Sequence, residues 1–450
     1  MTSSKHVALL LFLTSCCWAD KAVPRTALGA PPLDDADALN RHGAELQQQG
    51  RSAEAEAEFR RALNACRETG CSYLAAILNN MGSLFHAMAR YGDAESLLRQ
   101  AIDASSLEGQ DGDYLSVALV NLAAVYRAEA RFAEAEALYE RALKLREDAT
   151  AAGEIPRLLT HMAALCLDMG NPPRAEELAR KAVAFYREDG TLQSADGLAA
   201  QVMLAAVLVS TGKLAEAEAI GRRALNAYRM DMNRMQAPGS GLAAALDGLA
   251  KVLAARGRAK EAEALLREAV TVEEGLLGPD HPRLAIDLMN LGTILQARHR
   301  YDEAEAAMNR AARIDAANLP ANHPQIAADL NNQANLLVAR KRYREAEERL
   351  HRASAILERR VPPAQVELGQ VLANLGEVNR LEKRLPESRE NFARGIKMLV
   401  SAWGPLDRRL LAWLNNYASV LRASEEYTEA GKLELQATRI RVMEARRRAG

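Results

Sequence analysis

The sequence predicts an all-α fold, an α-solenoid of about ten helix–turn–helix repeats. Its 450 residues exceed what one hydrophobic core usually supports, so several domains or a stacked array are expected. Aromatic residues make up only 4% of the chain, whereas alanine, leucine, glutamate and arginine, which all favour helices, are abundant. A short phrase that returns at a regular spacing then favours the stacked array.

The repeated phrase is AEAEALYERAL at residues 133–143 and KEAEALLREAV at residues 260–270. Its marker is a small residue seven positions before another small residue, and the marker recurs every 39 to 45 residues. The ten first members are Ala55, Ala94, Ala135, Ala175, Ala217, Ala262, Ala304, Ala346, Ser388 and Ala430. A period in this range is typical of a solenoid, in which each repeat buries its apolar face against its neighbours.

Each repeat is predicted to contain two amphipathic helices. In the seventh repeat, Leu288, Leu291 and Leu295 share one face of a first helix, and Ala304 and Met308 share one face of a second. Glycines at the turn between the helices suit the left-handed conformation that ends a helix. They are Gly50, Gly170, Gly212 and Gly257. Where Lys or Glu holds this place, the helix is expected to end in another way.

Residues 1–19 are predicted to be a signal peptide or a lipoprotein leader. Lys5 and His6 precede an apolar run at residues 7–13, which is too short to span a bilayer. Residues 13–16, Leu-Thr-Ser-Cys, resemble a lipobox and make Cys16 a candidate for lipidation, whereas cleavage after Ala19 would release a soluble protein. Both alternatives predict export to the periplasm, the cell surface or the medium. Residues 20–35 contain three prolines without periodicity and are predicted to be a flexible tether.

Residues 212–217, Gly-Lys-Leu-Ala-Glu-Ala, with Ala224 and Leu225 after them, are similar to the second helix of a tetratricopeptide repeat (TPR). The long period and the run Leu-Gly-Pro-Asp-His-Pro at residues 277–282 resemble the kinesin-light-chain-type subclass. The resemblance covers residues 36–440 and leaves a basic tail at 441–450. It implies a right-handed superhelix whose first helices line a concave groove that binds partner peptides.

Candidate contacts for such a partner lie on the polar face of the first helices. At about 100° per residue, Asn290 falls opposite the leucines of its helix, and this face is expected to be solvent-accessible. The candidates on it are Asn80, Asn121, Asn290, Asn332, Asn335, Asn374, Arg380, Asn416 and Arg422. Asparagine both donates and accepts hydrogen bonds, which suits an extended peptide backbone, and arginine can bind a carboxylate. Alternatively, these asparagines bond neighbouring helices.

The equivalent positions in the middle of the array are more apolar. They include His161, Met203 and Gly248, with Val202 and Ala206 beside them. A bound segment is therefore expected to place a hydrophobic side chain centrally and its polar backbone at the ends.

Composition and motifs argue against other functions. The net charge of −1 gives no general field for nucleic acid. The chain lacks a phosphate-binding glycine loop, a nucleophile elbow and a His-Glu-x-x-His motif, so no catalysis, cofactor or metal is predicted. The expected partner is a protein or an extended peptide, and a membrane is involved only through a lipid anchor.

Three smaller features leave alternatives open. Cys66 and Cys71 form either a disulfide or two free thiols. Cys166 fits a core position. The degenerate ninth and tenth repeats, which carry Gly395 and Gly431, are either polar caps or a seam for self-association.

Overall fold

The computed structural model describes residues 36–48, 51–88, 90–107, 112–129, 131–148, 154–235, 240–359 and 365–449. The leader, the tether, Cys16 and Gly50 lie outside these residues. The described chain is helical throughout and contains no β-strand. None of its helices is both long and apolar enough to cross a membrane.

The helices form ten helix–turn–helix pairs, as the repeat predicts. The first helices are α1 (Ala36–Gln48), α3 (Leu74–Ala87), α5 (Gly112–Ala128), α7 (Ile155–Asp168), α9 (Ala195–Ser210), α11 (Ser240–Ala255), α13 (Pro282–Ala297), α15 (Pro324–Ala339), α17 (Gln365–Leu381) and α19 (Leu411–Ala423). The second helices are α2 (Ser52–Thr69), α4 (Tyr91–Leu107), α6 (Phe132–Asp148), α8 (Pro172–Glu188), α10 (Leu214–Met235), α12 (Ala259–Leu277), α14 (Tyr301–Asn318), α16 (Tyr343–Glu358), α18 (Leu385–Trp403) and α20 (Tyr427–Ala449). A short 3-10 helix, Arg408–Leu410, precedes α19.

The described chain divides into two compact units within α13. We call the described residues up to Asp287 the N-terminal unit and those from Leu288 onward the C-terminal unit. Within the N-terminal unit from α1 to α12, and within the C-terminal unit from α15 to α20, each first helix contacts its own second helix, and successive pairs contact each other.

The small marker residues lie where helices approach most closely. All ten first members, from Ala55 to Ala430, have 0% exposed surface. Their partners seven residues later are also buried. A larger side chain would force the packed helices apart, which explains why the repeat retains alanine, serine or glycine at these positions.

The turns of the last four repeats correct one expectation. His299, Lys341, Lys383 and Glu425 adopt positive φ angles of 61° to 64°, the same left-handed conformation that Gly170, Gly212 and Gly257 adopt. The following amide closes the turn in the same way, as in the 2.8 Å bond from Arg342 N to Leu337 O. Residues other than glycine therefore end these helices in the glycine geometry, and the turn is fixed by this bonding pattern.

The Glu-Ala-Glu runs bind successive repeats together. In the eighth repeat, Arg342 precedes α16 and pairs with Glu345 of its own helix at 2.6 Å and with Glu305 of the previous repeat at 2.9 Å. Arg131 makes the same two contacts with Glu134 and Glu95. The runs therefore form an ion-paired face, and their second glutamate links neighbouring repeats.

Cys66 and Cys71 lie on either side of Gly70, which ends α2 with a φ of 68°. The structure joins their sulfur atoms in a disulfide with Cα atoms 4.8 Å apart. Cys166 is buried and free, and burial raises the pKa of its thiol.

Candidate functional site

The asparagines that were expected on an open face lie mainly between helices. Asn80, Asn121, Asn290 and Asn332 are buried, with at most 6% of their surface exposed. A helical projection gives the face of one helix, but neighbouring first helices pack side by side in both units. The prediction of solvent accessibility is therefore wrong at these four positions.

Near the N-terminus these asparagines form a chain of hydrogen bonds. Asn80 Nδ2 donates to Asn40 Oδ1 over 3.1 Å, and Asn121 Nδ2 donates to Asn79 Oδ1 over 2.9 Å. Asn79 Nδ2 also lies 3.5 Å from Asn80 Oδ1. The chain connects α1, α3 and α5, so these side chains join neighbouring first helices.

The remaining candidates lie in the C-terminal unit and keep some exposure. They are Asn335, Asn374, Arg380, Asn416 and Arg422. Asn374 Nδ2 donates to Asn331 Oδ1 over 2.8 Å. Arg380 binds both oxygens of Glu377, and Asn416 Nδ2 donates to the same carboxylate over 2.9 Å. Arg422 binds both oxygens of Glu434. Each arginine therefore already holds a carboxylate of this chain.

A groove of about 680 Å³ lies on the first helices of the N-terminal unit, from α5 to α13. We call it the central groove. Its apolar lining residues are Ala164, Leu167, Val202, Met203, Ala206, Ala243, Ala244, Gly248 and Ile286. Its charged lining residues are Arg127, Asp168, Asp247, Lys251, Glu273, Arg283 and Asp287. The central groove therefore combines an apolar floor with an unusual density of charge.

The apolar floor lies in the middle of the array, where the sequence predicts more apolar residues on the first helices. Val202, Met203, Ala206 and Gly248 all line the central groove. His161 does not, because it is buried in α7 beside the Tyr139 ring, with a centroid distance of 6.1 Å. Burial, assisted by nearby arginines, lowers the pKa of His161 to about 3, so it packs as a neutral ring.

The charged residues of the central groove form three ion pairs and leave one carboxyl over. The pairs are Arg127 Nε with Asp168 Oδ2 at 2.6 Å, Lys251 Nζ with Asp247 Oδ2 at 2.6 Å, and an Arg283 guanidinium nitrogen with Glu273 Oε1 at 2.7 Å. Asp287 is 5% exposed, and its carboxyl makes no hydrogen bond or ion pair with the side chain of another described residue. Four acids thus face three bases.

Burial controls the protonation of these carboxyls. It raises the pKa of Asp168, against the opposing charge of Arg127, and it raises the pKa of Glu273 against that of Arg283. The pKa of Asp287 lies well above its ordinary value, because burial is reinforced by the carboxylates of Asp247 and Glu273. Asp287 is therefore the carboxyl of this groove whose ionisation is least supported by its surroundings.

The charged residues of the central groove were missed at the level of sequence, although two signals mark them. Asp247 and Lys251 are the only charged residues of α11, and they lie one helical turn apart. Asp247, Asp287 and Asp329 also recur at intervals of 40 and 42 residues on successive first helices. Charged residues are rarely buried without a reason. A charged residue that recurs at the repeat period on successive first helices therefore indicates a buried polar site more strongly than a single charged residue does.

Within the described residues, no group of three or more His, Cys, Asp or Glu side chains could hold a metal ion. The acidic residues of the central groove therefore do not converge in the manner of a metal site.

A second buried acidic pair lies one repeat further on, in the C-terminal unit. Asp315 at the end of α14 and Asp329 in α15 are each 2% exposed, and their carboxyls interact directly. Gln325 Nε2 donates to Asp329 Oδ1 over 3.1 Å. Burial raises the pKa of Asp315 to about 6, and burial together with Asp315 raises that of Asp329 well above its ordinary value. The two acids share their environment, and no cation of the described residues neutralises them.

This pair is expected to make the C-terminal unit less stable as the pH rises. Because the folded-state pKa values are raised, the protonated carboxyls contribute their full stability below about pH 4. This contribution is lost as the pH rises to 6 and above, which lowers the free energy of unfolding by on the order of 1 to 3 kcal/mol. Asp329→Asn should remove most of this dependence. Hydrogen exchange of the α14 and α15 amides at pH 5 and pH 8 measures it. Glu387→Gln, which changes an exposed carboxyl, serves as the control, and equal pH dependence in both variants would contradict the prediction.

Comparisons with known proteins agree with this architecture. A family model described as tetratricopeptide repeat matches residues 241–317 and 287–359, and a model of the MalT-like TPR region matches residues 42–239. No curated protein matches the chain. A structure of a Rap protein in complex with competence and sporulation factor is 14% identical, covers 82% of this chain and 98% of its own, and has a TM-score of 0.57.

A structure of nearly identical TPR-like repeats from a kinesin light chain of Podosopora anserina is 22% identical and covers 44% of this chain and 94% of its own, with a TM-score of 0.36. The likeness to the Rap protein concerns the fold, and the two family models together span residues 42 to 359, more than half of the chain.

Proposed function

This chain belongs to the tetratricopeptide repeat proteins, and from that premise we propose that it is a non-catalytic scaffold or adaptor that binds a partner protein or peptide in the central groove. The observation that carries the proposal is the groove itself, which has an apolar floor formed by residues of α7, α9, α11 and α13 and a border of charged side chains. Binding sites for peptides commonly combine an apolar surface with a few fixed polar groups. The Rap structure, in which the protein is complexed with competence and sporulation factor, is consistent with this use of the fold.

Gly248 offers a way to test the groove without disturbing its charges. A Cβ atom at Gly248 would lie 3.3 Å from Val202 Cγ1, so the Val202 side chain must shift by a few tenths of an ångström, and a larger side chain there would extend into the groove. Gly275 on α12 is a matched control, since a Cβ atom there meets nothing within 4 Å and Gly275 does not line the groove. Both positions are helical and gain helix propensity when glycine is replaced.

We expect Gly248→Leu to abolish partner binding and Gly275→Leu to leave it unchanged. A display library of random peptides, selected against the full-length chain and against each variant, measures this. Enrichment should occur with the wild type and with Gly275→Leu, and should be lost with Gly248→Leu. Failure to enrich any peptide with the wild type, or equal enrichment with Gly248→Leu, would reject the groove as the binding site.

The asparagine positions of the C-terminal unit are a second candidate contact region. Asn332 Nδ2 is buried and has no hydrogen-bond partner among the described residues, and the half-buried Asn374, on the next first helix, donates to Asn331. Selection that is unaffected by Asn332→Ala and Asn374→Ala together would assign binding to the central groove alone.

Export is part of the proposal. The leader at residues 1–19 supports delivery to a bacterial-type cell envelope, with Cys16 as the lipidation site in the alternative of a lipid-anchored assembly factor. Metabolic labelling with a fatty acid, compared between the wild type and Cys16→Ser, separates the anchored from the released form.

Self-association is the other alternative, and one feature of α20 favours it. Tyr427, Leu435 and Val442 are 62%, 54% and 46% exposed and lie on one side of the last helix, where they form an apolar surface. Sedimentation of the chain over a range of concentrations, with Leu435→Glu as comparison, tests whether two copies meet there.

A further inference from the structure

Asp287 occupies an unusual place in the central groove. Asp287 lines the groove and is only 5% exposed. Its carboxyl has no hydrogen-bond or ion-pair partner among the described residues. Glu273, on the neighbouring helix α12, is 2% exposed; its Oε1 pairs with Arg283, and its Oε2 has no hydrogen-bond partner in the part of the chain that the structure describes. A buried carboxyl without partners is destabilising, so its presence in a cavity points to a partner that arrives from outside.

The surrounding cations do not fill this role. Lys251 and Arg283 face Asp287 from α11 and α13, and each lies in a short ion pair of its own, with Asp247 and Glu273. Asp247 and Glu273 therefore add negative charge near Asp287 that their partners compensate only in part. The groove carries one carboxyl more than its cations balance, at a point that a bound segment can reach.

We propose that the central groove recognises a lysine or arginine side chain of a partner segment, with Asp287 as its carboxylate and the apolar floor as the surface for an aliphatic neighbour. The proposal rests on the proposed function and names the chemistry of the partner. Charge complementarity supports the choice, because a cation supplies the missing counter-charge. The methylene stem of lysine or arginine also packs well on apolar surface such as Met203 and Ala206, while the head group reaches a carboxylate.

The repeat supplies an internal control. Asp329 occupies the position equivalent to Asp287, 42 residues later, and Asp315 is likewise 42 residues after Glu273. The carboxyls of Asp315 and Asp329 interact with each other, and neither lines the central groove. Asp287→Asn and Asp329→Asn thus remove the same carboxyl at the same repeat position, and only the first alters the groove.

The test uses the display library of random peptides against the full-length chain. Peptides enriched by the wild type and by Asp329→Asn should contain lysine or arginine next to leucine, isoleucine, valine or methionine, and this bias should disappear with Asp287→Asn. If Gly248→Leu abolishes enrichment but the enriched peptides contain no basic residue, recognition of lysine or arginine is overturned and the proposed function stands. Absence of any enrichment would overturn both.

Calorimetry of one enriched peptide provides the quantitative readout. Replacing its basic residue by norleucine, or Asp287 by Asn, should weaken binding by at least about tenfold, and the two changes together should cost little more than either alone. Additive losses would mean that the basic residue binds elsewhere, which would overturn the assignment to Asp287.

Binding should also release a proton. Burial holds the pKa of Asp287 well above its ordinary value in the free protein, with Asp247, Lys251, Glu273 and Arg283 as its charged neighbours, and a bound cation lowers it. The binding enthalpy of the enriched peptide should therefore depend on the ionisation enthalpy of the buffer for the wild type and for Asp329→Asn, and should lose that dependence with Asp287→Asn. A buffer dependence that Asp287→Asn leaves intact would overturn the role of this carboxyl.

Discussion

Replacing Gly395 with alanine is expected to lower the free energy of unfolding of the C-terminal unit by on the order of 2 to 3 kcal/mol. The Cβ atom would lie 2.6 Å from the backbone oxygen of Gly369 and 2.8 Å from the backbone nitrogen of Ala373. Backbone atoms inside a helix cannot rotate away as a side chain can. Helices α17 and α18 would have to separate, and the fully buried Leu399 would lose part of its packing.

Gly431→Ala is the matched control. It lies in α20, where an added Cβ atom meets nothing within 4 Å, so alanine should stabilise the helix by about 0.5 to 1 kcal/mol. Urea unfolding and hydrogen exchange of the α17 and α18 amides measure both variants. A Gly395→Ala protein as stable as the wild type would show that the two helices are not in close backbone contact.

Gly395 also illustrates what the sequence predicts well. It holds the second marker position of the ninth repeat, seven residues after Ser388, and its departure from alanine was interpreted as degeneracy. The pattern correctly placed a small residue at a helix–helix contact, because such contacts lie within one repeat and recur with its period. The reason for glycine instead of alanine depends on the distance between two particular backbones, which no local pattern contains.

Accessibility was harder to predict than packing. The helical projection places Asn80 and Asn121 on the polar face of their helices. Their hydrogen bonds to Asn40 and Asn79 show that this face meets neighbouring helices and not solvent. A helical projection treats each helix alone, whereas burial of this face depends on how closely the next first helix lies. The sequence-level alternative, in which asparagines bond neighbouring helices, describes the N-terminal group as the structure has it.

The charge of the central groove could not be predicted for a related reason. Its floor was anticipated at Met203 and Gly248, since apolar residues replace asparagine there. Its charged border joins α5, α7, α11, α12 and α13, and the Arg127 to Asp168 pair spans 41 residues of sequence. The surplus of one carboxyl appears only when all partners are known in space, although the recurrence of Asp247 and Asp287 is visible beforehand.

The Arg127 to Asp168 pair gives the largest effect that we expect from a single substitution. Arg127 is 6% exposed, and its Nε lies 2.6 Å from Asp168 Oδ2 on the adjacent first helix. Arg127→Met keeps the apolar stem and leaves the Asp168 carboxyl, whose side chain is 20% exposed, without its cation. The expected loss in the free energy of unfolding of the N-terminal unit is about 3 to 5 kcal/mol near neutral pH.

The size of that loss should depend on pH. Burial already raises the pKa of Asp168, and removal of Arg127, which opposes the rise, should raise it further. A carboxyl with a raised folded-state pKa contributes stability at low pH, where it is protonated, and this contribution is lost as the pH rises through that pKa. Arg127→Met should therefore be closest in stability to the wild type at pH 5 and furthest from it at pH 8.

The double variant Arg127→Met with Asp168→Asn should recover much of the stability at pH 8, because it leaves no buried charge. Urea unfolding at both pH values, with hydrogen exchange of α5 and α7, measures these differences. A double variant no more stable than Arg127→Met alone would mean that the cost comes from lost arginine packing and not from the unpaired carboxylate.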